Sequence, residues 1–275
     1  MLYLLPFLTR LSENLQRVDS RICKYLKTPN AKQIHDIRTS IRRLDTAFQI
    51  LPKKNRSGSS FSEYVLKCKD LFDVNSEIRD LDIICEKLQK YAPSDQRNGI
   101  IRTLKTTRNA NLENAKAIAR TIKKIQAGKI INKIGVTEKE LQKRYYKMIL
   151  RSVSMIESTF PVVLASDENL KELHDLRISC KKLKYLLELQ EDEKKRILKT
   201  RKALQKLQDI LGAIHDYDFA IKYLVSLELP SLEIQEIIAT EKEERAAKFE
   251  EFLRFCKRRL GVSPDSFLIA LRNLN

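Results

Sequence analysis

Two segments of the chain carry the same arrangement of side chains able to hold an anion. Ile34-His35-Asp36-Ile37-Arg38-Thr39-Ser40-Ile41-Arg42-Arg43-Leu44 is matched by Leu173-His174-Asp175-Leu176-Arg177-Ile178-Ser179-Cys180-Lys181-Lys182-Leu183, with the two histidines 139 residues apart. On a helix, at about 100° per residue, His35, Arg38 and Arg42 fall within roughly 60° of one another, and His174, Arg177 and Lys181 do the same. Ile34, Ile37, Ile41, Leu44 and Phe48 take a separate face, as do Leu173, Leu176, Cys180, Leu183 and Leu187. Each helix therefore offers one side to a core and a neighbouring side of cationic hydrogen-bond donors. A duplicated stripe of this kind reads as a duplicated half-site.

Helices must carry those stripes, and the rest of the sequence agrees. Among 275 residues only 6 are glycine and 7 proline, and the stretches between them have helical rather than alternating periodicity. Helices are expected over about 2–26, 31–51, 61–75, 78–91 and 95–126, then about 138–159, 167–190, 193–211, 214–227 and 232–259, with a short last one from Ser263-Pro264. Pro29-Asn30 opens the first motif helix, Gln33 sits at the capping-box position and Pro52 closes it. Thr137 and Glu140 form a second box. A further element repeats as well: Glu77-Ile78-Arg79-Asp80-Leu81-Asp82 corresponds to Ala213-Ile214-His215-Asp216-Tyr217-Asp218, 136 residues on. The expected fold is all-α, a single domain over 1–275 made of two pseudo-symmetric helical bundles related by internal duplication. The repeats cover about 1–132 and 133–275, with the seam at Gly128–Gly135.

With 53 Lys and Arg against 36 Asp and Glu, the formal charge is +17. That balance favours polyanionic partners, whether nucleic acid, an anionic membrane surface or a phosphate polymer. The five cysteines are scattered, without a CxxC pair, and several lie on apolar helix positions, so buried free thiols in a reducing cytoplasm are expected. The apolar opening, Met1 to Leu8, lacks a basic leader and is interrupted by Arg10, so no membrane insertion is expected.

The paired motifs resemble those of the conserved histidine α-helical domain, or CHAD domain, in which a histidine is followed three residues later by arginine and then by a basic cluster. Arg79-Asp80 and Leu211-Gly212 resemble two turns between later helices of that family. The resemblance implies two four-helix bundles with a basic central groove or cavity that binds inorganic polyphosphate without turning it over. Carried over position by position, it implicates His35, Arg38, Arg42, Arg43 and Arg79 in one half. In the other it implicates His174, Arg177, Lys181, Lys182 and Lys184, and Lys69 and Lys206 align with a further basic position. Arg38, Arg42 and Arg177 are then donors of charge-assisted hydrogen bonds, Lys181, Lys182 and Lys184 supply field, and the two histidines are short-range donors. No cofactor or metal is implied, and a cytoplasmic location, including association with polyphosphate granules, is expected.

Bland and rival readings bear on the same residues. Less patterned cations such as Arg102, Lys105, Arg108 and Arg245 fit an ordinary solvated helix face, and Lys32 and Lys171 stand where each can pair with the Asp four residues on. All three histidines precede an aspartate, as in the helical HD phosphohydrolases, but the Arg and Lys around each pair oppose a divalent ion. A nucleophile with a neighbouring base is not apparent. RNA binding, which charge alone permits, is the main alternative. Against it, the motif helices are poor in the aromatic rings on which bases stack.

Overall fold

The computed structural model describes residues 2–57, 60–125, 134–190 and 195–259. Among these there are helices and no strands: α1 (Leu4–Lys27), α2 (Ala31–Ile50), α3 (Lys53–Arg56), α4 (Ser60–Leu88), α5 (Asp95–Lys124), α6 (Glu138–Ala165), α7 (Leu170–Leu187), α8 (Lys195–Ser226) and α9 (Leu232–Arg259). Most of the seam expected at Gly128–Gly135 and the last helix from Ser263-Pro264 lie outside the described residues.

Local chemistry sets several of the ends. The Asn30 side chain accepts from the Gln33 backbone N–H to start α2. Ser94 caps α5 in the same way through Arg97. Thr137 and Glu140 bond each other reciprocally, the capping box read from the sequence.

The chain divides into two compact units, Leu2–Arg144 and Tyr145 onward. The division falls later than the expected 132/133 because the first residues of α6 are fastened to the first unit. Arg144 donates from Nε to the Ile50 carbonyl at 2.7 Å and from Nη2 to that of Gln49 at 3.0 Å. Glu140 accepts from Lys54.

In the first unit α1 packs on α2, α2 on α4, α4 on α5 and α5 back on α1, a closed ring of four helices. Its centre is apolar, from Phe7, Leu11, Ile37, Leu44, Leu71 and Ala115. The Tyr25 hydroxyl inside it donates to Asn75 Oδ1 at 3.0 Å, and that of Tyr64 to Asp19 at 2.6 Å. In the second unit α7 packs on α8 and α8 on α9. Phe160 of α6 meets Phe252 of α9 edge-on at 6.2 Å, and the Tyr145 hydroxyl donates to the Leu186 carbonyl.

By length and composition α6 is apolar enough to cross a membrane. Its buried residues, Tyr145, Ile149, Val153, Ile156, Phe160 and Val163, recur every three or four positions, the pattern of a core helix.

Two expected breaks are absent. The separate helices at 61–75 and 78–91 are one continuous α4, and those at 193–211 and 214–227 are one α8, so Arg79-Asp80 and Leu211-Gly212 are helical rather than turns. In α4 the buried stripe runs through Phe61, Tyr64, Cys68, Leu71, Asn75 and Ile78, then changes side to Ile84, Lys87 and Leu88. In α8 it changes side after Ile214, to Ala220 and Leu224. An apolar stripe that changes phase looks like a chain break when only periodicity is read, and neither junction holds a proline to interrupt the backbone.

Candidate functional site

Burial of Ile34, Ile37, Ile41 and Leu44 fixes the rotation of α2 in the first unit. That rotation leaves His35 exposed and Arg38, Arg42 and Arg43 half-exposed. Phe72, on α4, lies beneath two of these cations: the Arg42 guanidinium carbon is 4.7 Å and that of Arg38 5.4 Å from the ring centroid. The ring face attracts both and holds them side by side. Arg79 comes from the point of α4 where the buried stripe changes side, and its Nη1 is 3.0 Å from Glu86.

Partial burial lowers the His35 pKa, and Arg38, Arg79 and Arg42 push it the same way against Asp36. Neutral imidazole is therefore favoured in the free protein. The Asp36 carboxylate accepts from Arg21 of α1 at 2.6 Å, so its structural cation comes from the neighbouring helix rather than from Lys32. Lys69 is exposed, 3.8 Å from Asp45.

In the second unit α7 carries the other histidine and cation stripe. Leu173, Leu176, Arg177, Cys180 and Leu183 are buried, His174 is exposed, and Lys181 and Lys182 are half-exposed. The His174 pKa is lowered by partial burial and then by Arg177 and Lys181, with Asp175 opposing. At the position corresponding to Phe72 stands Gln208, which donates to the Cys180 carbonyl at 3.2 Å, so the cations of α7 have no aromatic shelf there. Lys184 departs furthest from an outward donor: it is buried, with Nζ 2.6 Å from Gln205 Oε1 and 3.8 Å from Glu188. Lys206 is exposed and 3.1 Å from Glu251.

Each unit thus brings together a histidine and the cations three and seven positions after it. Arg79 joins the first group through its field on His35, and His215 joins the second, with ring centroids 5.6 Å apart from His174. Lys69 lies 3.8 Å from Asp45, Lys184 against Gln205 and Glu188, and Lys206 3.1 Å from Glu251. The sequence reading did not find Phe72; its one signal was an aromatic residue beside, not on, the apolar stripe that contains Leu71.

Two cations assigned to a bland role have a specific one. Arg108 Nε donates to Asp82, and Arg245 Nε donates to the corresponding Asp218 while its Nη1 reaches Asp167 at 2.7 Å. Cys68, Cys85, Cys180 and Cys256 are buried and Cys23 is exposed. Burial pushes the Cys180 and Cys256 thiols up to about 12, away from nucleophilic use. Among the described residues no three His, Cys, Asp or Glu converge as a metal set.

The family model of the CHAD domain matches residues 8–225 of this chain. The crystal structure of the CHAD domain from the plant Ricinus communis is similar, with a TM-score of 0.58 and 15% identity over 98% of this chain and 91% of that one. No curated protein matches.

Proposed function

This chain belongs to the CHAD domain family, and from that premise we propose that it binds inorganic polyphosphate without catalysing its turnover. Each unit offers one cationic face: His35, Arg38, Arg42, Arg43 and Arg79 in the first, His174, Arg177, Lys181 and Lys182 in the second. Arginine forks grip phosphate oxygens, lysines add field, and the histidines donate once protonated. Lys69, Lys184 and Lys206 add less to the field, each being drawn to a nearby carboxylate. The observation that carries the reading is the pairing of Arg38 and Arg42 over one ring, near a histidine whose pKa is lowered by burial and by these cations.

A phosphate polymer has no bases to read, so Coulomb attraction and donor geometry must supply all recognition. Competition binding tests this. Long-chain polyphosphate should displace RNA at matched phosphate concentration, and Arg38→Glu with Arg177→Glu should abolish polyphosphate binding while helicity is retained. Preferential, sequence-dependent RNA binding overturns the assignment. Release of orthophosphate from polyphosphate in Mg²⁺ or Mn²⁺ overturns the non-catalytic part. Binding of this kind suits cytoplasmic sequestration or granule targeting.

A further inference from the structure

A cavity of about 630 Å³ opens in the second unit, and polyphosphate explains only part of its lining. The polar part includes the paired rings of His174 and His215 with Lys222 and Lys242. The apolar part is Leu170, Phe219 and Ile221, with Phe219 one turn from His215 on the same face of α8. Leu170 remains 52% exposed at the start of α7, although a helix start has no need of an apolar side chain. A bare phosphate chain has nothing to place against such a wall, and the volume is that of small-molecule sites.

The charges sort in the same direction. Arg245 bridges Asp167 and Asp218, so those carboxylates are committed to holding α8, α9 and the loop before α7 together. Glu168, Lys222 and Lys242 complete the fixed charges, which sum to zero over the lining with Arg245 and its partners. Protonation of His174, which an entering anion favours, makes the lining net positive. Other charged groups near the two imidazoles are Asp175, Arg177 and Lys181 on α7 and Asp216 on α8.

The corresponding positions of the first unit differ together. Counting back by the motif offsets, His215 corresponds to Arg79, Phe219 to Ile83, Leu170 to Ala31 and Lys222 to Glu86. There Glu86 pairs with Arg79 and Ile83 is buried. Asp82 and Arg108, the counterparts of Asp218 and Arg245, keep their ion pair. The two units share this ion pair and differ in the lining: the second has an aromatic ring, an exposed leucine and a cation where the first has Ile83, Ala31 and Glu86.

We propose that this cavity binds a nucleoside polyphosphate. The base lies against Phe219 with Leu170 and Ile221 around it, and the phosphates reach His174, His215, Lys222 and Lys242. Glu168 accepts from a sugar hydroxyl or an exocyclic amino group. The phosphate end rests on the anion-binding reading of His174; the base end stands on the apolar wall alone.

Calorimetric titration of the full chain with adenosine triphosphate and with tripolyphosphate separates the two ends. The nucleotide should bind about tenfold more tightly than tripolyphosphate, the usual value of a base on an aromatic ring. Phe219→Ala should remove that advantage and leave tripolyphosphate unchanged, whereas His215→Gln should weaken both. Equal affinity of the intact protein for the two ligands overturns the proposal. So does a Phe219→Ala protein that keeps full nucleotide preference. If Phe219→Ala does not fold, saturation-transfer NMR on the unaltered protein decides: the base protons must receive magnetisation, and contact confined to the sugar and phosphates refutes the site. Loss of the polyphosphate reading has a different signature, long-chain binding that survives Arg38→Glu with Arg177→Glu.

Discussion

If His35 and His174 contact phosphate as proposed, they couple binding to protons, and the sign follows from their surroundings. Partial burial and nearby cations lower both pKa values in the free protein, while bound phosphate raises them by supplying negative charge. Protons are taken up on binding between the two values. Affinity for polyphosphate should therefore be weakest above the bound-state pKa, strengthen as pH falls through the histidine range, and level off below the free-state pKa. The same lowered values mean that folding stability attributable to these histidines is present above the ordinary histidine range and lost as pH falls through the folded pKa. Fluorescence titration between neutral and mildly acidic pH checks the first part, and a flat profile removes the imidazoles from the site. Phe72 makes a separate prediction. Phe72→Ala takes away the ring under two guanidinium groups, at about 0.5–1 kcal/mol each, and should weaken polyphosphate binding by up to about five- to thirtyfold without changing helicity. Phe72→Leu, which refills volume without the ring's negative face, should recover little of the loss.

Helix α8 gives a sharp test of continuous helix against turn. Gly212 is interior to it, has no left-handed backbone, and an added Cβ meets nothing within 4 Å. Gly212→Ala should stabilise the protein by about 0.5–1 kcal/mol, read as a raised midpoint in urea. Were Leu211-Gly212 the turn that the family resemblance implied, the same change would destabilise. This residue also marks how far the sequence could be read. The stripes at 34–44 and 173–183 were legible because a buried face and a cationic face each keep a period of 3.6 through the whole of α2 and α7. The α4 and α8 junctions were not, because at Arg79 and His215 each helix changes the side it buries, and periodicity measures the face and not the backbone. Phe72 and the Arg21 contact to Asp36 depend on which helices become neighbours, which no local pattern records. His215 was in view as a histidine, but its approach to His174 depends on α7 packing on α8.

The chain's excess charge raises the question of whether pattern or total charge would hold a phosphate polymer under the proposed function. At +17 any polyanion is drawn in, and long-range attraction alone makes binding fall with salt. Site contacts have a different signature, because each phosphate neutralised releases counterion in proportion. For a flexible single chain the logarithmic slope is about −0.7 per contact. If Arg38, Arg42 and Arg43 in one unit and Arg177, Lys181 and Lys182 in the other each neutralise one phosphate, the slope for long-chain polyphosphate should be about −4. Arg38→Gln should reduce its magnitude by about 0.7. Arg102 and Lys105, both exposed on α5, serve as the control. Changing both to Gln removes twice the net charge of Arg38→Gln, yet should slow association and leave the equilibrium slope nearly unchanged. A slope that follows net charge wherever it is removed would mean that the duplicated stripes have no special hold on phosphate, however regular their spacing.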